Sequence, residues 1–297
     1  MQIETLFFNY IHSQRATARL KQSTISTYYG IFERYIEPFF YNIEEISEQD
    51  ITDFTKVLLF KLSRKTVNDI LTLFSSILRY NRIDIEIYKP VFHIPNINGL
   101  SLQDWERLES YCVSHLNFFT FGVLLDLYTG IRPGELCASR KRNLDLIARA
   151  FHVTDTMQRI KNLDPNATRK TKVIIDTPKS KQAVRTIPLI DDLVLIAHNL
   201  YQGVPPNAFL FTGNNKYIEV RSYEQKLSKI YKAVGIQNKN AYSIRHAFAT
   251  YYYQNTKDIK TLSELLGHKD IKTTYRYIGT DETAKRQGVN SLAQIKK

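Results

Sequence analysis

The amino-acid sequence predicts a mainly α-helical chain with a small antiparallel β-sheet, organised as an N-terminal four-helix domain followed by an α+β domain. Three observations lead to this fold class. Apolar residues recur at three- and four-residue steps through the first 90 positions, as in amphipathic helices. A stretch rich in proline, asparagine and glycine interrupts this pattern at 88–100. Strand-like runs rich in β-branched residues follow position 150, with helical patterns on both sides.

Four helix starts are visible in the N-terminal domain, which we assign to residues 1–90. An apolar-rich first helix spans Leu6 to His12. Ser23 offers an N-cap hydroxyl before the second helix, Ser47 opens the third, and Ser63 opens the fourth. Four short helices of this kind pack as a small bundle.

The second domain is predicted to be mixed. Residues 91–100 are the linker, and residues 101–297 form the domain and a C-terminal tail. Ser101 caps the first helix with Asp104 three residues on, and Pro133 stands near the start of a later helix. The runs AFHVTDTMQ, KVIIDTPK and AVRTIPLI are expected to form one antiparallel sheet of about three strands. Helices are expected again at 190–201, 222–234, 243–255, 258–267 and 270–278.

The chain carries a strong positive charge that is confined to its later part. It has 41 lysines and arginines against 29 aspartates and glutamates, a formal net charge of +12. Residues 1–100 hold 11 basic and 11 acidic side chains, so the whole excess lies beyond them. This balance indicates a polyanionic partner, with nucleic acid the first candidate and an anionic membrane surface the second.

Composition also bears on which cofactors the protein could use and on the cellular compartment in which it acts. We interpret the two cysteines, Cys112 and Cys137, as reduced thiols of a cytoplasmic protein. The seven histidines are scattered and no Cys/His pair has metal-ligand spacing, so we expect neither a metal nor another cofactor. The first residues lack the features of a secretion signal, and no run of 18 apolar residues exists, which predicts no membrane partner.

Three segments of the second domain carry residues suited to phosphodiester chemistry. Metal-free cleavage needs an in-line nucleophile, fixed positive charge around the phosphorus and a proton donor for the leaving oxygen. Arg132 stands on a predicted tight turn before a helix, with Glu135 placed to orient it. Arg245 falls in the first turn of another helix, and His268 follows a glycine at the end of a third. Each segment alone also fits an ordinary surface arginine or a structural histidine.

Taken together, these segments resemble the tyrosine recombinase, or phage integrase, family. TGIRPGEL, a lysine-bearing hairpin, YSIRHAFAT and LLGHKDIKTTYRY agree with its motifs in identity, order and spacing. The stretches STISTYYGIFERYI and SRKTVNDILTLFSSILRY are similar to its core-binding domain. The resemblance covers nearly the whole chain and is strongest to the short, Xer-like or simple integrase type. It implies a DNA-clamping core-binding domain over 1–90, a linker at 91–100 and a catalytic domain over 101–297.

The resemblance implies roles for individual residues. Arg132 and Arg245 match the two catalytic arginines, and Glu135 matches the acidic residue that supports the first of them. His268 matches the later histidine, and Tyr277, nine residues further on, matches the nucleophile. Chemistry alone does not separate Tyr277 from the rest of the 19 tyrosines, so its assignment rests on the spacing to His268.

Two further positions complete the implied catalytic set. Lys179 matches the hairpin lysine that protonates the leaving 5′ oxygen, although Lys181 lies two residues away. Tyr242 occupies the first position of the H-x-x-R motif, where the family usually has histidine. A phenol with a pKa of about 10 donates a hydrogen bond well but is a poor base at neutral pH. We therefore expect Tyr242 to polarise the phosphate, and the identity of the general base stays open.

DNA contacts are expected on both domains, mainly to phosphates, which makes binding steeply salt-dependent. The resemblance implies double-stranded DNA with inverted-repeat recombination sites as the partner, and a homotetramer that exchanges strands on two sites through a Holliday junction. Accessory DNA-bending proteins are further candidate partners. The tail, 281–297, is expected either to pack on a neighbouring protomer or to remain solvated. The predicted DNA-contacting residues are Arg15, Arg19, Lys21, Lys61, Arg64, Lys65, Lys161, Arg169, Lys170, Lys172, Lys181 and Arg185.

The activity implied by the resemblance is metal-independent, site-specific recombination. Such an enzyme integrates, excises or resolves DNA through a 3′-phosphotyrosyl intermediate. A type IB topoisomerase shares the nucleophile and the arginines, but the Xer-like N-terminal domain argues against it. A catalytically silent DNA-binding relative is a third reading, which Tyr242 keeps open.

Overall fold

The structure, a computed structural model, describes residues 2–17, 19–92, 99–164, 166–178, 180–277 and 286. Most of the predicted linker, most of the predicted C-terminal tail and the predicted catalytic Lys179 lie outside these residues. The chain forms two compact units. The first contains Met1–Pro95 and Arg159–Val173, and the second contains Asn96–Gln158 and Ile174–Lys297. The segment 159–173, which the sequence analysis assigned to the second domain, thus belongs to the first unit.

Helices form most of the first unit, and the four predicted helices are present. A π-helical turn, Phe32–Ile36, follows the second helix and continues directly into a short further helix. Pro38 stands at the start of that helix and lacks the N–H that would bond four residues back, which accounts for the wider turn before it. The helices are α1 (Ile3–Ala16), α2 (Gln22–Ile31), α3 (Glu37–Phe40), α4 (Glu48–Lys61) and α5 (Arg64–Tyr80).

Aromatic side chains fill the core of the first unit. Phe7 of α1 stacks on Phe32, with ring centroids 4.0 Å apart. Phe40, Phe54 and Phe74 form a second group with centroids 4.6 to 5.8 Å apart. All five rings are buried, and burial of such a ring stabilises the fold by about 1.5–3 kcal/mol. These contacts join all four predicted helices into one bundle.

The N-cap predicted at Ser23 was wrong, because α2 begins at Gln22 with Lys21 as its N-cap residue, but the other predicted N-caps are present. The Ser47 hydroxyl accepts from the backbone N–H of Asp50 at 3.2 Å, and the Asp50 carboxylate accepts from the Ser47 N–H at 2.9 Å. Ser101 and Asp104 make the same reciprocal pair at the start of α6 (Leu102–Ser114). Ser63 caps α5 with its side chain. The N-caps predicted at residues 47, 63 and 101 are therefore confirmed.

The second unit is built around a helix that is buried on all sides. Nine of the 12 residues of α7 (Phe118–Thr129) are buried, in keeping with its continuous apolar sequence. Gly130 ends this helix in a left-handed conformation, with a φ of 57°. The last predicted helix is instead a 3₁₀ segment, Ile271–Tyr277. The remaining helices are α8 (Pro133–Ala138), α9 (Asp191–Leu200), α10 (Val220–Ala233), α11 (Ala241–Thr256) and α12 (Ile259–Leu266).

The strands form two small sheets, so the prediction of a single three-stranded sheet was wrong. β1 (Leu144–Asp145), β2 (Ala150–Val153) and β5 (Arg185–Pro188) form one antiparallel sheet, in which residue 151 is opposite residue 187. β3 (Thr156–Lys161) and β4 (Thr171–Asp176) form the other. The run predicted as one strand over 150–158 breaks at residues 154 and 155 and contributes to both sheets.

Both cysteine thiols are free and buried. Burial raises the pKa of the Cys112 thiol to about 12, which keeps it protonated at neutral pH. Within the described ranges, no helix combines the length and the apolar composition that a membrane crossing requires. The same part of the chain contains no group of three or more His, Cys, Asp or Glu side chains that could hold a metal ion.

Candidate active site

Three arginines converge on the C-terminal end of α12. The backbone carbonyls of residues 265, 266 and 267 accept hydrogen bonds from Arg185 Nε at 2.5 Å, Arg245 Nη2 at 2.7 Å and Arg132 Nη2 at 3.1 Å, respectively. Carbonyls at the end of a helix lack partners within it and form the negative end of its dipole. They therefore hold this group of three guanidiniums, which we call the arginine cluster, in one place.

Glu135 provides the counter-charge of the arginine cluster. It lies in α8 and is 2% exposed. Its carboxylate accepts from Arg132 at 2.7 Å and from Arg185 at 3.0 Å. Burial alone would raise the pKa of Glu135, but the charges of Arg185 and Arg132 hold it below its usual range. Glu135 thus orients Arg132, as the resemblance implied, and a second arginine shares it.

The position of Arg185 corrects one of the predicted DNA contacts. The sequence analysis placed it among cations that meet phosphate, but its side chain is only 6% exposed. Its guanidinium also donates to the Ala183 carbonyl at 2.9 Å, in addition to its bonds to residues 135 and 265. Gly267 lies against it, since an added Cβ there would come within 3.0 Å of Arg185 Cδ. Arg185 is therefore part of the internal support of the site.

Arg245 is the most deeply buried member of the arginine cluster. It lies in the first turns of α11 and is 2% exposed. Its Nη1 donates to the Gly130 carbonyl at 2.7 Å, which connects it to the end of α7. Burial, and then the charge of Arg132, lower its pKa to about 10, while the electrostatic interaction with the Tyr277 side chain acts in the opposite direction. Arg245 therefore remains charged at neutral pH.

His268 lies between the arginine cluster and the segment that carries Tyr277. Its Nε2 is 2.9 Å from Arg245 Nη2, and its Nδ1 is 2.8 Å from the Thr274 hydroxyl. Burial, and then the positive charges of Arg245 and its neighbours, lower the pKa of His268 to about 3. The ring is therefore neutral at physiological pH.

Tyr277 is brought beside these groups in the same chain. Its ring is parallel to that of His268 at 5.7 Å between centroids and lies 4.4 Å from that of His246. It also packs against the buried Ala249, Leu262 and Leu266 of α11 and α12. Tyr275, two residues earlier, is by contrast 56% exposed. The structure thus brings together the predicted Arg132, Arg245, His268 and Tyr277.

Tyr242 lies at the edge of the same site. It is about half exposed, and burial of the rest raises its pKa, although the charges of Arg132 and Arg245 act to lower it. A phenol with a raised pKa stays protonated and serves as a hydrogen-bond donor. This environment fits the donor role that the sequence analysis expected.

A cleft of about 460 Å³ opens next to Arg132 and His268. Pro178 and Ser180, on either side of the predicted Lys179, are both part of its wall. The position of Lys179 itself lies outside the described residues. The other lining residues are Glu135, Thr156, Gln158, Ala183, Gly267, Lys269, Asp270 and Thr273.

Sequence reasoning missed three residues of the site. His246 has a pKa lowered to about 4, by burial first and by the charge of Arg245 second, so its ring beside Tyr277 is neutral. Thr274 is fully buried against His268. Arg185 was noticed, but for another role. The motif YSIRHAFAT pointed to His246 by adjacency alone, and no local signal distinguishes a buried threonine or arginine from a surface one.

The remaining predicted DNA contacts have varied surroundings. Lys161 pairs with Glu33 within the first unit, and Lys65 pairs with Asp69 at 2.7 Å, so both cations already have a carboxylate partner. The guanidinium of Arg15 lies over the ring of Tyr29. The predicted cations that are exposed are Arg15, Arg19, Lys61, Arg64, Lys65, Arg169, Lys170 and Lys181, and those that are half-buried are Lys21, Lys161 and Lys172.

A buried carboxyl group lies close behind the arginine cluster. Asp126 of α7 is completely buried, and its Oδ2 accepts from the Tyr223 hydroxyl at 2.6 Å. Its Oδ1 has no hydrogen-bond partner among the described residues. Burial raises the pKa of Asp126 to about 8, although Tyr223 and Arg245 act to lower it. At neutral pH the group is therefore largely protonated and does not cancel the positive charge of the cluster.

The raised pKa of Asp126 predicts that the free energy of unfolding depends on pH. Between the unfolded pKa of about 3.9 and the folded pKa of about 8, the folded protein holds a proton that the unfolded chain has released. The contribution of Asp126 to the free energy of unfolding therefore falls as pH rises, by at most about 1.4 kcal/mol per pH unit. We expect Asp126→Asn to remove this slope between pH 6.5 and 7.5, as measured by urea unfolding. Parallel pH profiles for the two proteins would contradict the assignment.

Comparisons with known proteins agree on one family. Residues 110–283 match the sequence model of the phage integrase family, and residues 4–59 match that of the phage integrase N-terminal SAM-like domain. A tyrosine recombinase XerC-like protein of Caldanaerobacter subterraneus is 27% identical over 57% of this chain. That match covers 46% of the relative, so the chain spans about half its length. The ICEBs1 integrase of Bacillus subtilis is 20% identical over 84% of this chain and 71% of its own.

Solved structures share the fold. The Tn1549 transposon integrase in complex with transposon right end DNA superposes with a TM-score of 0.75 at 18% identity, covering 97% of this chain and 99% of that one. A lambda integrase tetramer bound to a Holliday junction gives a TM-score of 0.67 at 13% identity, covering 93% of this chain and 77% of that one. At these identities the likeness concerns the arrangement of the backbone.

Proposed function

Starting from the premise that this chain belongs to the phage integrase family, we propose that it is a site-specific DNA recombinase. It cuts and rejoins DNA strands through a 3′-phosphotyrosyl intermediate formed on Tyr277. The observation that carries the proposal is the position of Tyr277, whose ring lies parallel to that of His268 at 5.7 Å, while His268 contacts the buried Arg245 at 2.9 Å. A phenol beside fixed cations is suited to attack a phosphate.

Cleavage proceeds by one exchange of ester bonds. The Tyr277 hydroxyl releases its proton to solvent, and its oxygen bonds to the scissile phosphorus while the bond from phosphorus to the 5′ oxygen breaks. Lys179 gives its proton to the departing 5′ oxygen, which leaves as a hydroxyl group. In the second exchange, a 5′ hydroxyl from the partner duplex attacks the phosphotyrosine and releases Tyr277. The phosphodiester energy is kept in the covalent link throughout.

Charge provides the main stabilisation of the transition state. A bound phosphodiester carries one negative charge, and a second develops as the pentacoordinate state forms. The arginine cluster has three guanidiniums, whereas Glu135 supplies a single carboxylate, so positive charge is in excess. We propose that Arg132, about one third exposed and part of the cleft wall, and Arg245 contact the phosphate. Fixed donors of this kind typically contribute about 10²–10³-fold each to the rate.

The family resemblance also suggests partners for this site. We propose that the substrate is double-stranded DNA with inverted-repeat sites and that four protomers act on two such sites through a Holliday junction. The exposed cations of both units supply phosphate contacts, which makes binding fall steeply with salt. Tyr242 donates to the phosphate instead of acting as a base. We propose that the protein acts in the cytoplasm, with accessory DNA-bending proteins as candidate partners.

Covalent capture on suicide substrates tests the proposal. Nicked duplexes tiled across the DNA that flanks the gene are incubated with the full chain, and denaturing gels report covalent adducts. We expect an SDS-resistant adduct on particular duplexes, and peptide mass spectrometry should locate the nucleotide on Tyr277. If no duplex yields an adduct, the chain is a silent DNA-binding relative. If it relaxes any supercoiled plasmid as a monomer and recombines none, it is a topoisomerase.

A further inference from the structure

The hydrogen bonds of His268 determine which of its nitrogens carries the proton. A guanidinium only donates hydrogen bonds, so Nε2 of His268, 2.9 Å from Arg245 Nη2, must be the acceptor. The ring is neutral, which leaves its single proton on Nδ1. From there it is donated to the Thr274 hydroxyl at 2.8 Å. The DNA-free enzyme therefore holds the Nδ1–H tautomer.

This tautomer is the wrong one for binding a phosphate. Phosphate oxygens accept hydrogen bonds, and so does a bare Nε2, so the two cannot bond to each other. Nδ1 is already directed at Thr274, away from Arg245. The resemblance implies that His268 is a catalytic residue. If its ring donates to the scissile phosphate, its Nε2 must acquire a proton when DNA enters.

We propose that Thr274 is a positioning residue that allows His268 to exchange tautomers when DNA binds. The inference rests on the proposed function. A hydroxyl both donates and accepts, so Thr274 accepts from Nδ1–H in the free enzyme and donates to a bare Nδ1 in the complex. The ring gives up the Nδ1 proton to solvent and takes one from solvent at Nε2, so its net charge is unchanged. The Arg245 Nη2–H that bonded to Nε2 in the free enzyme then donates to the phosphate.

The position of Thr274 fits this role. Its side chain is fully buried, which holds the hydroxyl in place against Nδ1. It stands three residues before Tyr277 in the same 3₁₀ segment, so His268 and the nucleophile are anchored to one short piece of backbone. Burial and the charges of the neighbouring arginines lower the pKa of His268, so the ring of the DNA-free enzyme carries one proton and not two. Partners of this kind typically affect activity by about 10–100-fold.

Two matched substitutions test the role of the hydroxyl. Thr274→Val keeps the shape of the side chain and removes its hydroxyl, whereas Thr274→Ser keeps the hydroxyl. In single-turnover cleavage of the suicide duplex, we expect Thr274→Val to be about 10–100-fold slower than the wild type, with unchanged DNA affinity. Thr274→Ser should stay within a few-fold of the wild type. A valine variant that cleaves at the wild-type rate overturns the proposal.

The tautomer can also be observed directly, which separates this role from a merely structural one. In ¹⁵N-histidine spectra, the signals of His268 are identified by their loss in His268→Gln. We expect the Nδ1–H pattern in the free wild type and the Nε2–H pattern when the suicide duplex is bound. An unchanged Nδ1–H pattern with DNA bound overturns the inference while leaving recombination intact. If the wild type forms no adduct on any duplex, the proposed function fails and this inference with it.

Discussion

Replacing Tyr277 with phenylalanine is expected to abolish covalent attachment to DNA. The substitution removes only the oxygen, while the ring keeps its packing against the ends of α11 and α12. Loss of a catalytic nucleophile costs about 10⁴-fold or more in rate. The variant should therefore form no adduct on the suicide duplex that captures the wild type, yet shift that duplex on a native gel with similar affinity.

Tyr275 offers a matched control for this experiment. It lies two residues away in the same 3₁₀ segment, and its side chain is 56% exposed. Tyr275→Phe should form the adduct at the wild-type rate. An adduct that persists in Tyr277→Phe and disappears in Tyr275→Phe would reassign the nucleophile and remove the main support for the proposed chemistry.

Replacing Arg185 with methionine is expected to cause a large loss of stability. Its side chain is 6% exposed and bonds to Glu135, which is 2% exposed. Removing one partner of a buried ion pair typically costs about 3–5 kcal/mol. The carbonyl of residue 265 also loses its donor. Urea unfolding should show this loss, and Tm should fall by about 10 °C or more.

An exposed ion pair in the same unit serves as the comparison. Arg149 bonds to Asp191 at 2.8 Å, but their side chains are 63% and 77% exposed. Arg149→Met should change the free energy of unfolding by about 0–1 kcal/mol. The interpretation of Arg185 fails if its single variant is no less stable than Arg149→Met.

Local chemistry was sufficient to predict much of the fold. Ser47, Ser63 and Ser101 cap helices because a hydroxyl next to free backbone N–H groups acts within a few residues. The sheets were predicted less well. Pairing of β2 with β5 joins residues more than 30 positions apart, and nothing in either run specifies its partner. The short break at residues 154 and 155 was therefore not recognised.

The residues of the site also divide into those that their sequence neighbours point to and those that depend on contacts with distant positions. The turn before α8 and the glycine at the end of α12 marked Arg132 and His268 as candidates, and the resemblance to the family then implied their roles. Arg185 was placed at the DNA because a basic run looks the same whether its members are buried or exposed. Its burial depends on Glu135, 50 positions earlier, and on the end of α12, 80 positions later. Thr274 was missed because its partner is defined only once the ring of His268 is oriented.

The three arginines of the cluster all depend on the same few residues at the end of α12. Its three consecutive acceptors are main-chain atoms, so exchanging the side chains of residues 265 and 266 leaves them in place. Unwinding the final helical turn, by contrast, would remove one hydrogen bond from each of Arg132, Arg185 and Arg245 simultaneously and displace the segment that carries Tyr277. Activity thus depends on a single helical turn, about five or six ångströms long. Any ligand or protomer that unwinds this turn would inactivate the enzyme in one step.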